Sequence, residues 1–255
     1  MKLALVGYGR MGREIEAVAQ ARGHEVVAIV DPGERGRRMR RRIGEDELSG
    51  AEAAFEFTSP GAAEQNVLAL LACGVPVVCG TTGFSPDLVA LAKATRKARK
   101  AVVLAPNYSL GVNLFFRMVQ EAARLLGSTD RFDPFVLEEH HRGKVDAPSG
   151  TARRLADLVV EEDPHRWSVH EGVPPGGLPP GAVQVVSVRA GNETGTHIVG
   201  FDGEHDRIEL IHRARGRGGF AAGAVLAAEW IPGKRGVHGF DRVLQDLFPA
   251  GGRRA

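Results

Sequence analysis

Short apolar runs alternate with helix-like stretches through the first hundred residues, and this alternation constrains the fold more than any other feature. The apolar runs cover residues 2–6, 25–30, 54–57, 75–79 and 101–104. Because strands that alternate with helices of this length pair in parallel, the pattern predicts a doubly wound α/β sheet. Ligands of such sheets bind beyond the carboxyl ends of the strands.

A glycine-rich turn joins the first of these strands to the first helix. Its residues are Gly7, Tyr8, Gly9, Arg10, Met11 and Gly12. Glycines at these points permit a tight turn and close approach of the backbone to a pyrophosphate. Asp31 ends the second strand, near the spacing of about 20 residues expected for a carboxylate that binds the adenosine ribose. Together these features predict a Rossmann-type dinucleotide site, against the alternative of an ordinary glycine-rich turn.

The residues after Asp31 bear on the choice of cofactor. Six arginines follow it, namely Arg35, Arg37, Arg38, Arg40, Arg41 and Arg42. Such a run is most often one solvated helix face, but one of the early arginines could reach the 2′-phosphate of NADP. Asp31 favours NAD and the arginines favour NADP, and we expect the chain to use both NADH and NADPH.

Two later strands end in loops that we expect to line the nicotinamide half of the cofactor site. These loops contain Gly80, Thr81 and Thr82 in the first case, and Ala105, Pro106, Asn107 and Tyr108 in the second. Both follow the carboxyl end of a strand, where ligands of a doubly wound sheet bind. The alternative is that either loop is only a connection.

The alternation changes after residue 110. A helical apolar stripe covers residues 111–126, strand-like runs follow at 183–189, 196–201 and 207–213, and helical patterns return at 220–230 and 240–247. Successive strands separated by glycine-rich turns predict a mostly antiparallel sheet. We therefore expect a dinucleotide-binding domain of residues 1–110 and 221–255, and a second, α+β domain of residues 111–220.

The densest chemistry lies in residues 138–152. His140, His141 and Lys144 follow an apolar strand, and Ser149, Gly150 and Thr151 precede a helical pattern, with Ser149 or Thr151 available as its N-cap. A helix N-terminus and a lysine attract anions, and a histidine can donate a proton near neutral pH. The segment predicts a site that binds and protonates an acidic substrate, against the simpler alternative of a surface loop before a capped helix.

We expect no metal in this segment. Adjacent histidines on an extended strand point to opposite sides of it. The sequence contains neither an HExxH pattern nor a cluster of cysteines and histidines at zinc-ligand spacing.

Composition narrows the classes of partner. The 33 basic and 31 acidic residues leave a net charge of +2, which gives no overall attraction to nucleic acid or membrane surfaces. Only Cys73 and Cys79 occur, which argues against a disulfide framework. No apolar run approaches the roughly 18 residues of a membrane span. We expect a cytoplasmic protein that binds small molecules, with no nucleic acid or membrane partner.

Residues 138–144, EEHHRGK, joined to residues 146–152, DAPSGTA, resemble the signature of the 4-hydroxy-tetrahydrodipicolinate reductase family of the diaminopimelate and lysine pathway. Five further segments recur in that family in the same order, namely GRMG at 9–12, FT at 57–58, GTTGF at 80–84, NYSLGVN at 107–113 and FAAGA at 220–224. The resemblance thus covers essentially the whole chain. Glu56 departs from the family, which often has Asp before the Phe-Thr pair.

The resemblance implies that NADH or NADPH reduces a cyclic unsaturated dicarboxylate in a homotetramer, with the second domain binding the substrate and building the oligomer. Carried over residue by residue, it implies that His140 is the acid and Lys144 a second proton donor. We expect the substrate to be bound by His141, Ser149, Gly150 and Thr151.

Two other functions remain open from the residues alone. One is another reductase on the same scaffold, an amino-acid or imine dehydrogenase, which would keep the glycine turn without needing the basic segment. The other is a non-catalytic NAD(P)-binding sensor, which would not need a proton donor beside an anion site.

Overall fold

The computed structural model of the chain describes residues 1–33, 39–40, 42–48 and 50–249. Of the six arginines after Asp31, Arg35, Arg37, Arg38 and Arg41 lie outside these residues. The chain divides into two compact units, Met1–Leu110 with Arg217–Ala255 and Gly111–Gly216. The sequence pattern puts the return to the first unit at residue 221, four residues after Arg217. The helix of this segment begins with Gly218 and Gly219. Because glycine is a weak helix former, the sequence pattern does not include these two residues in the helix.

In chain order the described elements are β1 (Lys2–Val6), α1 (Arg10–Ala21), β2 (Glu25–Val30), β3 (Met39–Arg40), β4 (Ala53–Glu56), α2 (Pro60–Ala72), β5 (Val77–Cys79), α3 (Leu88–Ala98), β6 (Ala101–Leu104), α4 (Leu110–Gly127), β7 (Phe132–His140), α5 (Gly150–Glu162), β8 (Ser168–Glu171), β9 (Ala182–Arg189), β10 (Thr196–Gly203), β11 (Arg207–Arg213), α6 (Gly218–Trp230), β12 (Gly236–Gly239) and α7 (Phe240–Leu247).

The first unit is the doubly wound parallel sheet that the alternation predicts. Its described strands follow the order β12-β6-β5-β4-β1-β2-β3, and all their pairings are parallel. The order reverses between β1 and β4, which is the switch point at which such sheets bind ligands. The glycine turn and the loop after β4 both begin at this point.

Apolar side chains cover both faces of this sheet because successive residues of a strand point to opposite sides. Leu3 and Leu5 of β1 belong to one core with residues of α1, α6 and α7. Ala4 and Val6, which alternate with them, belong to a second core with residues of α2 and α3. Helices on both faces explain why these strands read as continuous apolar runs.

The second unit contains a five-stranded sheet in the order β11-β10-β7-β9-β8. The sheet is mixed, where the sequence pattern suggests mostly antiparallel pairing. The pairs β7–β10 and β10–β11 are antiparallel, whereas β7–β9 and β8–β9 are parallel. Parallel pairing requires a long crossover, and α5 and the proline- and glycine-rich loop after β8 provide it. Residues of α4 and α5 share a core with β7, β9 and β10.

Strand β7 extends further than its apolar run indicates. The sequence suggests a strand that ends near Leu137, but Glu138, Glu139 and His140 continue it by pairing with β9 and β10. These partners lie more than forty residues away in the chain, so local periodicity does not reveal them. Within the described part of the chain, no helix has the length and apolar character that a bilayer crossing requires.

Candidate active site

Two glycines of the turn after β1 are required by close packing. Gly7 has a φ of 91°, and a Cβ there would lie 2.2 Å from the carbonyl oxygen of Phe57. A Cβ at Gly12 would lie 2.3 Å from the carbonyl oxygen of Gly7. Gly9 caps α1 without a side-chain hydrogen bond, and a Cβ there would meet open space. The N-terminus of α1 is therefore accessible to an anion.

Asp31 forms a hydrogen bond with the glycine turn and also lines the adjacent cavity. Its Oδ2 accepts a hydrogen bond from the backbone N–H of Tyr8 at 2.7 Å, and its Oδ1 accepts one from Gly33 at 2.8 Å. Each carboxylate oxygen can accept a further bond, so Asp31 can also accept a hydrogen bond from a ribose hydroxyl. A cavity of about 710 Å³ is lined by Gly7, Gly9 and Asp31, and also by Arg42.

A second cavity in the first unit brings most of the remaining predicted cofactor residues together. It measures about 260 Å³ and is lined by Met11, Phe57, Thr58, Gly80, Thr81, Thr82, Pro106, Tyr108 and Phe220. Phe57, Thr58 and Phe220 are additions to the sequence-based set. Thr58 was detectable because it follows the carboxyl end of β4 at the switch point. Five of the predicted cofactor residues line neither cavity, namely Tyr8, Arg10, Gly12, Ala105 and Asn107.

Tyr108 is chiefly a structural residue. Its ring is buried, and its hydroxyl lies 2.9 Å from the carbonyl oxygens of both Cys79 and Val103. Burial raises the pKa of this hydroxyl well above its usual value, so it stays protonated and can donate. Tyr108 therefore fixes the loop after β6 against the end of β5.

Glu56 connects the two cofactor loops that follow β4 and β5. The carboxylate is fully buried. Its Oε1 accepts from the hydroxyl of Thr58 and from Asn66 Nδ2, and its Oε2 accepts from the hydroxyl of Thr81 at 2.6 Å. The Thr81 hydroxyl oxygen in turn accepts from the backbone N–H of Thr58 at 2.9 Å. One acidic side chain thus orders both loops.

The second unit contains a row of polar side chains that continues its apolar core. Period-two alternation puts Glu138 and His140 on the same face as Val136, which is a core residue. Register pairs Glu138 with Ser187 and His197, and His140 with Arg189. The sequence analysis identified His140 but no role for the other four residues of this row. Glu138 could have been indicated by the alternation within β7 and by its place at the start of the EEHHRGK segment.

Glu138 is fully buried and has several partners. Its Oε1 accepts from the backbone N–H of Ser149 at 2.9 Å, from Ser187 Oγ at 2.7 Å and from Arg189 Nη2 at 2.8 Å. Burial raises the pKa of this carboxyl, but the bonds from Ser149, Arg189 and Ser187 outweigh it and bring the pKa to about 2. Glu138 is therefore ionised at neutral pH.

Two histidines approach the other carboxylate oxygen. His140 Nδ1 lies 3.1 Å from Glu138 Oε2, and His197 Nε2 lies 3.7 Å from the same oxygen. The two imidazole rings meet edge to face with centroids 5.1 Å apart. Burial and the neighbouring His140 lower the pKa of His197 to about 4. Burial also lowers the pKa of His140, although the Glu138 carboxylate opposes that shift.

Lys144 lies in the turn after β7, where it contacts an acidic neighbour. Its Nζ is 2.7 Å from Oδ1 of Asp146, and this pairing lowers the pKa of Asp146. An ammonium group has three donors, so a substrate carboxylate could share it. His141, the first residue after β7, is exposed and lines a surface cavity of about 540 Å³ with Arg142, Gly143, Gly191, Asn192 and Thr194.

Ser149 is the N-cap of α5, as one of the two sequence alternatives has it. Its hydroxyl accepts from the backbone N–H of Ala152 at 3.2 Å, and its hydroxyl oxygen also lies 3.3 Å from His197 Nε2. Gly150 and Thr151 are the first residues of the helix, where backbone N–H groups lack intrahelical acceptors. This helix end can bind an anion.

Glu138, His140 and His197 also resemble a set of metal ligands. Their ligand atoms all lie within 4.8 Å of one another, and two histidines with one glutamate form a known zinc donor set. From the sequence no metal is expected here, because adjacent histidines on an extended strand point to opposite sides, whereas His197 lies in a distant segment of the chain. The arrangement can therefore hold either a proton shared between the groups or a divalent cation.

The sequence matches the dihydrodipicolinate reductase family in two parts, its N-terminus over residues 1–108 and its C-terminus over residues 111–244. The 4-hydroxy-tetrahydrodipicolinate reductase of Christiangramia forsetii is 35% identical over 252 residues, which are 97% of this chain and 99% of that protein. The enzyme of the same name from Anaeromyxobacter dehalogenans (strain 2CP-C) is 45% identical over 205 residues, which are 77% of this chain and 74% of that protein.

A solved structure shares the fold of the chain. The dipicolinate-bound dihydrodipicolinate reductase from Paenisporosarcina sp. TG-14 has a TM-score of 0.77 and 22% sequence identity, and the match covers 94% of this chain and 97% of that one. The chain therefore belongs to the dihydrodipicolinate reductase family, and it is an NAD(P)H-dependent oxidoreductase of the lysine and diaminopimelate pathway.

Proposed function

We propose that the second unit binds 4-hydroxy-tetrahydrodipicolinate and that His140 protonates it during reduction by NADH or NADPH. The single observation that carries this proposal is the buried pair of His140 and an ionised Glu138, 3.1 Å apart at the end of β7. Burial lowers the pKa of His140, and the Glu138 carboxylate opposes that shift by stabilising the protonated form that a general acid needs. The identity of the substrate is inferred from the names of the related enzymes.

The first unit is the proposed dinucleotide-binding domain. The accessible N-terminus of α1 suits the pyrophosphate, and Asp31 with the larger cavity suits the adenosine ribose. The smaller cavity, lined by Thr81 and Thr82 among others, suits the nicotinamide. When bound, NADH or NADPH supplies the hydride, and the protein supplies orientation and charge. We propose that both cofactors are used.

The second unit is the proposed binding site for the two ring carboxylates. Backbone N–H groups of Gly150 and Thr151 at the start of α5 would bind one of them, beside the Ser149 cap. Lys144 would bind a carboxylate and stabilise the negative charge that develops on the ring. His141 would contact the substrate from the surface cavity that it lines beside the turn after β7.

The assay compares two histidine variants of the full chain. The wild type should oxidise NADH and NADPH only when 4-hydroxy-tetrahydrodipicolinate is supplied, and His140→Ala should lower kcat about 100-fold. His205→Ala, which changes an exposed histidine of the same unit, should retain kcat. Circular dichroism and melting temperature check that both variants fold. A His140→Ala enzyme with wild-type kcat would remove His140 from the chemistry.

A binding experiment distinguishes the enzyme from a cofactor sensor. Pyridine-2,6-dicarboxylate added with NADH should raise the melting temperature beyond the effect of NADH alone, because a ligand that binds only the folded state stabilises it. No additional shift would favour the sensor. Turnover of an amino acid or imine in preference to the cyclic dicarboxylate would favour the other dehydrogenase class.

The second unit also supports a homotetramer. On the face of its sheet opposite Val136 and Glu138, the register aligns the apolar residues Leu137, Val186, Ile198 and Ile211 across four strands. Ile211 is 41% exposed in the single chain, so association through this face would bury apolar area. Sedimentation should give the mass of four chains.

We place this enzyme in the cytoplasm, where its free Cys73 and Cys79 would stay reduced.

A further inference from the structure

The two ring nitrogens of His140 have different surroundings. Nδ1 lies 3.1 Å from Glu138 Oε2, and both are buried atoms without an aligned hydrogen bond to any group among the described residues. Because an ionised carboxylate oxygen can only accept, Nδ1 must carry the hydrogen for the contact to be favourable. The neutral ring therefore has its proton on Nδ1 and a free lone pair on Nε2.

Gly195 lies beside Nε2 of His140 and has no side chain that could cover this nitrogen. It precedes β10 with a φ of 142°, in the region that favours glycine. A Cβ at this position would lie 3.0 Å from Nε2 of His140, closer than an ordinary contact. Any other residue would therefore meet the imidazole at the nitrogen that faces away from Glu138.

We propose that Glu138 is a positioning residue that holds His140 with Nδ1 protonated, so that Nε2 is the atom that transfers the proton to the substrate. The proposal rests on the proposed function for the identity of that substrate. Its geometric part, the orientation of the two nitrogens, stands without it. Glu138 does not touch substrate in this account, because it acts through His140.

The proton that His140 donates neutralises the charge left by hydride addition. Hydride addition forms a carbon–hydrogen bond on the conjugated ring and leaves an electron pair on a neighbouring ring atom. That pair takes the proton from Nε2 of the imidazolium, and the electrons of the broken nitrogen–hydrogen bond stay on Nε2. His140 is then neutral, with its remaining hydrogen on Nδ1 facing Glu138. Water restores the proton at Nε2 before the next turnover.

His197 is suited to a supporting role and not to proton transfer. Burial and the neighbouring His140 bring its pKa to about 4, so it is neutral at pH 7. Its ring packs edge to face against His140, and its Nε2 lies near the hydroxyl of Ser149. A neutral ring here adds no positive charge beside the imidazolium.

A bound metal is the competing account of the same three side chains. A divalent cation at this point would lie close to the guanidinium of Arg189, whose Nη2 is already 2.8 Å from Glu138 Oε1. Such a cation would also need Nδ1 of His140 without its hydrogen. Like-charge repulsion from Arg189 therefore favours a proton over a metal.

The test combines histidine NMR with kinetics on the full-length enzyme. In protein labelled with ¹⁵N-histidine, His140 above its pKa should show a protonated Nδ1 and an unprotonated Nε2. Glu138→Gln should abolish this preference and lower kcat about 100-fold. Glu139→Gln makes the same charge change on the opposite face of β7 and should leave both readouts unchanged.

The pH dependence of kcat/KM gives a further measurement, which would not change if Glu138 had a purely structural role. Because the Glu138 carboxylate raises the pKa of His140, Glu138→Gln should shift the loss of kcat/KM at high pH to lower pH. The charged and titratable groups around this ring are Glu138, Lys144, Asp146, Arg189 and His197. An unshifted profile in a folded variant would contradict the proposal.

Three experimental outcomes distinguish failure of this proposal from failure of the proposed function. A wild-type His140 protonated at Nε2 would overturn the proposal even if Glu138→Gln failed to fold. Zinc retained at one ion per chain after dialysis against EDTA would overturn it in favour of the metal. The predicted tautomer in an enzyme that does not reduce the cyclic dicarboxylate would leave the geometry standing and refute the proposed function instead.

Discussion

The ammonium group of Lys144 lies 2.7 Å from the carboxylate of Asp146, two residues along the same turn. The lysine is therefore held at a fixed place after β7. Because ammonium has three donors and Asp146 engages one of them, Lys144 can bind a substrate carboxylate without leaving its neighbour. Lys144 can therefore keep its ion pair with Asp146 and still serve as the proposed anion-binding group.

Lys144→Ala should raise KM for the dicarboxylate and lower kcat, because the charge acts in both the ground state and the transition state. A hydrogen bond to a charged group is worth about 1.5–3 kcal/mol, so kcat/KM should fall roughly 10- to 100-fold. Asp146→Asn keeps the lysine charge and should reduce kcat/KM far less. An effect of Lys144→Ala confined to KM for NADH would show that the lysine does not bind the substrate.

Glu56→Ala should impair cofactor binding, because it leaves the hydroxyls of Thr58 and Thr81 without their buried acceptor. Thr58 is exposed and Thr81 half-buried, so water can replace part of what is lost, and urea denaturation should show a loss of about 1–3 kcal/mol in total. KM for NADH should rise while KM for the dicarboxylate stays the same. Glu56→Asp, which restores the residue common in the family, should retain most of the cofactor affinity, and equal loss in both variants would exclude an acceptor role.

Stability should fall as the pH decreases below 6.5 because of His197. Its pKa in the folded chain is about 4, against an ordinary value of 6.5. Between these values the unfolded chain binds the proton and the folded chain does not, so protonation favours unfolding. The free energy of unfolding, measured in urea at pH 7 and pH 5, should fall less in His197→Asn. A residual fall is expected from His140 and His212, whose pKa values burial also lowers.

Arg42 should contribute to NADPH use more than to NADH use. It lines the same cavity as Asp31 and is 81% exposed while paired with Glu47, so it is available to a 2′-phosphate. Wild-type kcat/KM values for the two cofactors should differ by less than about 100-fold, which is about 2.7 kcal/mol. Arg42→Ala should raise KM for NADPH about tenfold and leave KM for NADH within twofold. Equal changes for both cofactors would assign Arg42 a general role in the cavity.

Local patterns accounted for much of the first unit. The runs at 2–6, 25–30 and 101–104 are strands with the expected bounds, because buried strands of a parallel sheet are apolar throughout. The glycine turn also followed from its residues, since Gly7 and Gly12 have no room for a side chain. By contrast, the contact of Asp31 with Tyr8 joins two segments and has no local signature.

The sequence alone determined the α/β architecture of the first unit and the glycine turn, because each depends on neighbours along the chain. Tertiary structure decided how the polar row of the second unit is assembled. Glu138 meets Ser187, Arg189 and His197 only because β7 pairs with β9 on one side and β10 on the other. Strand register is fixed by packing between distant segments. It therefore decides which side chains surround His140.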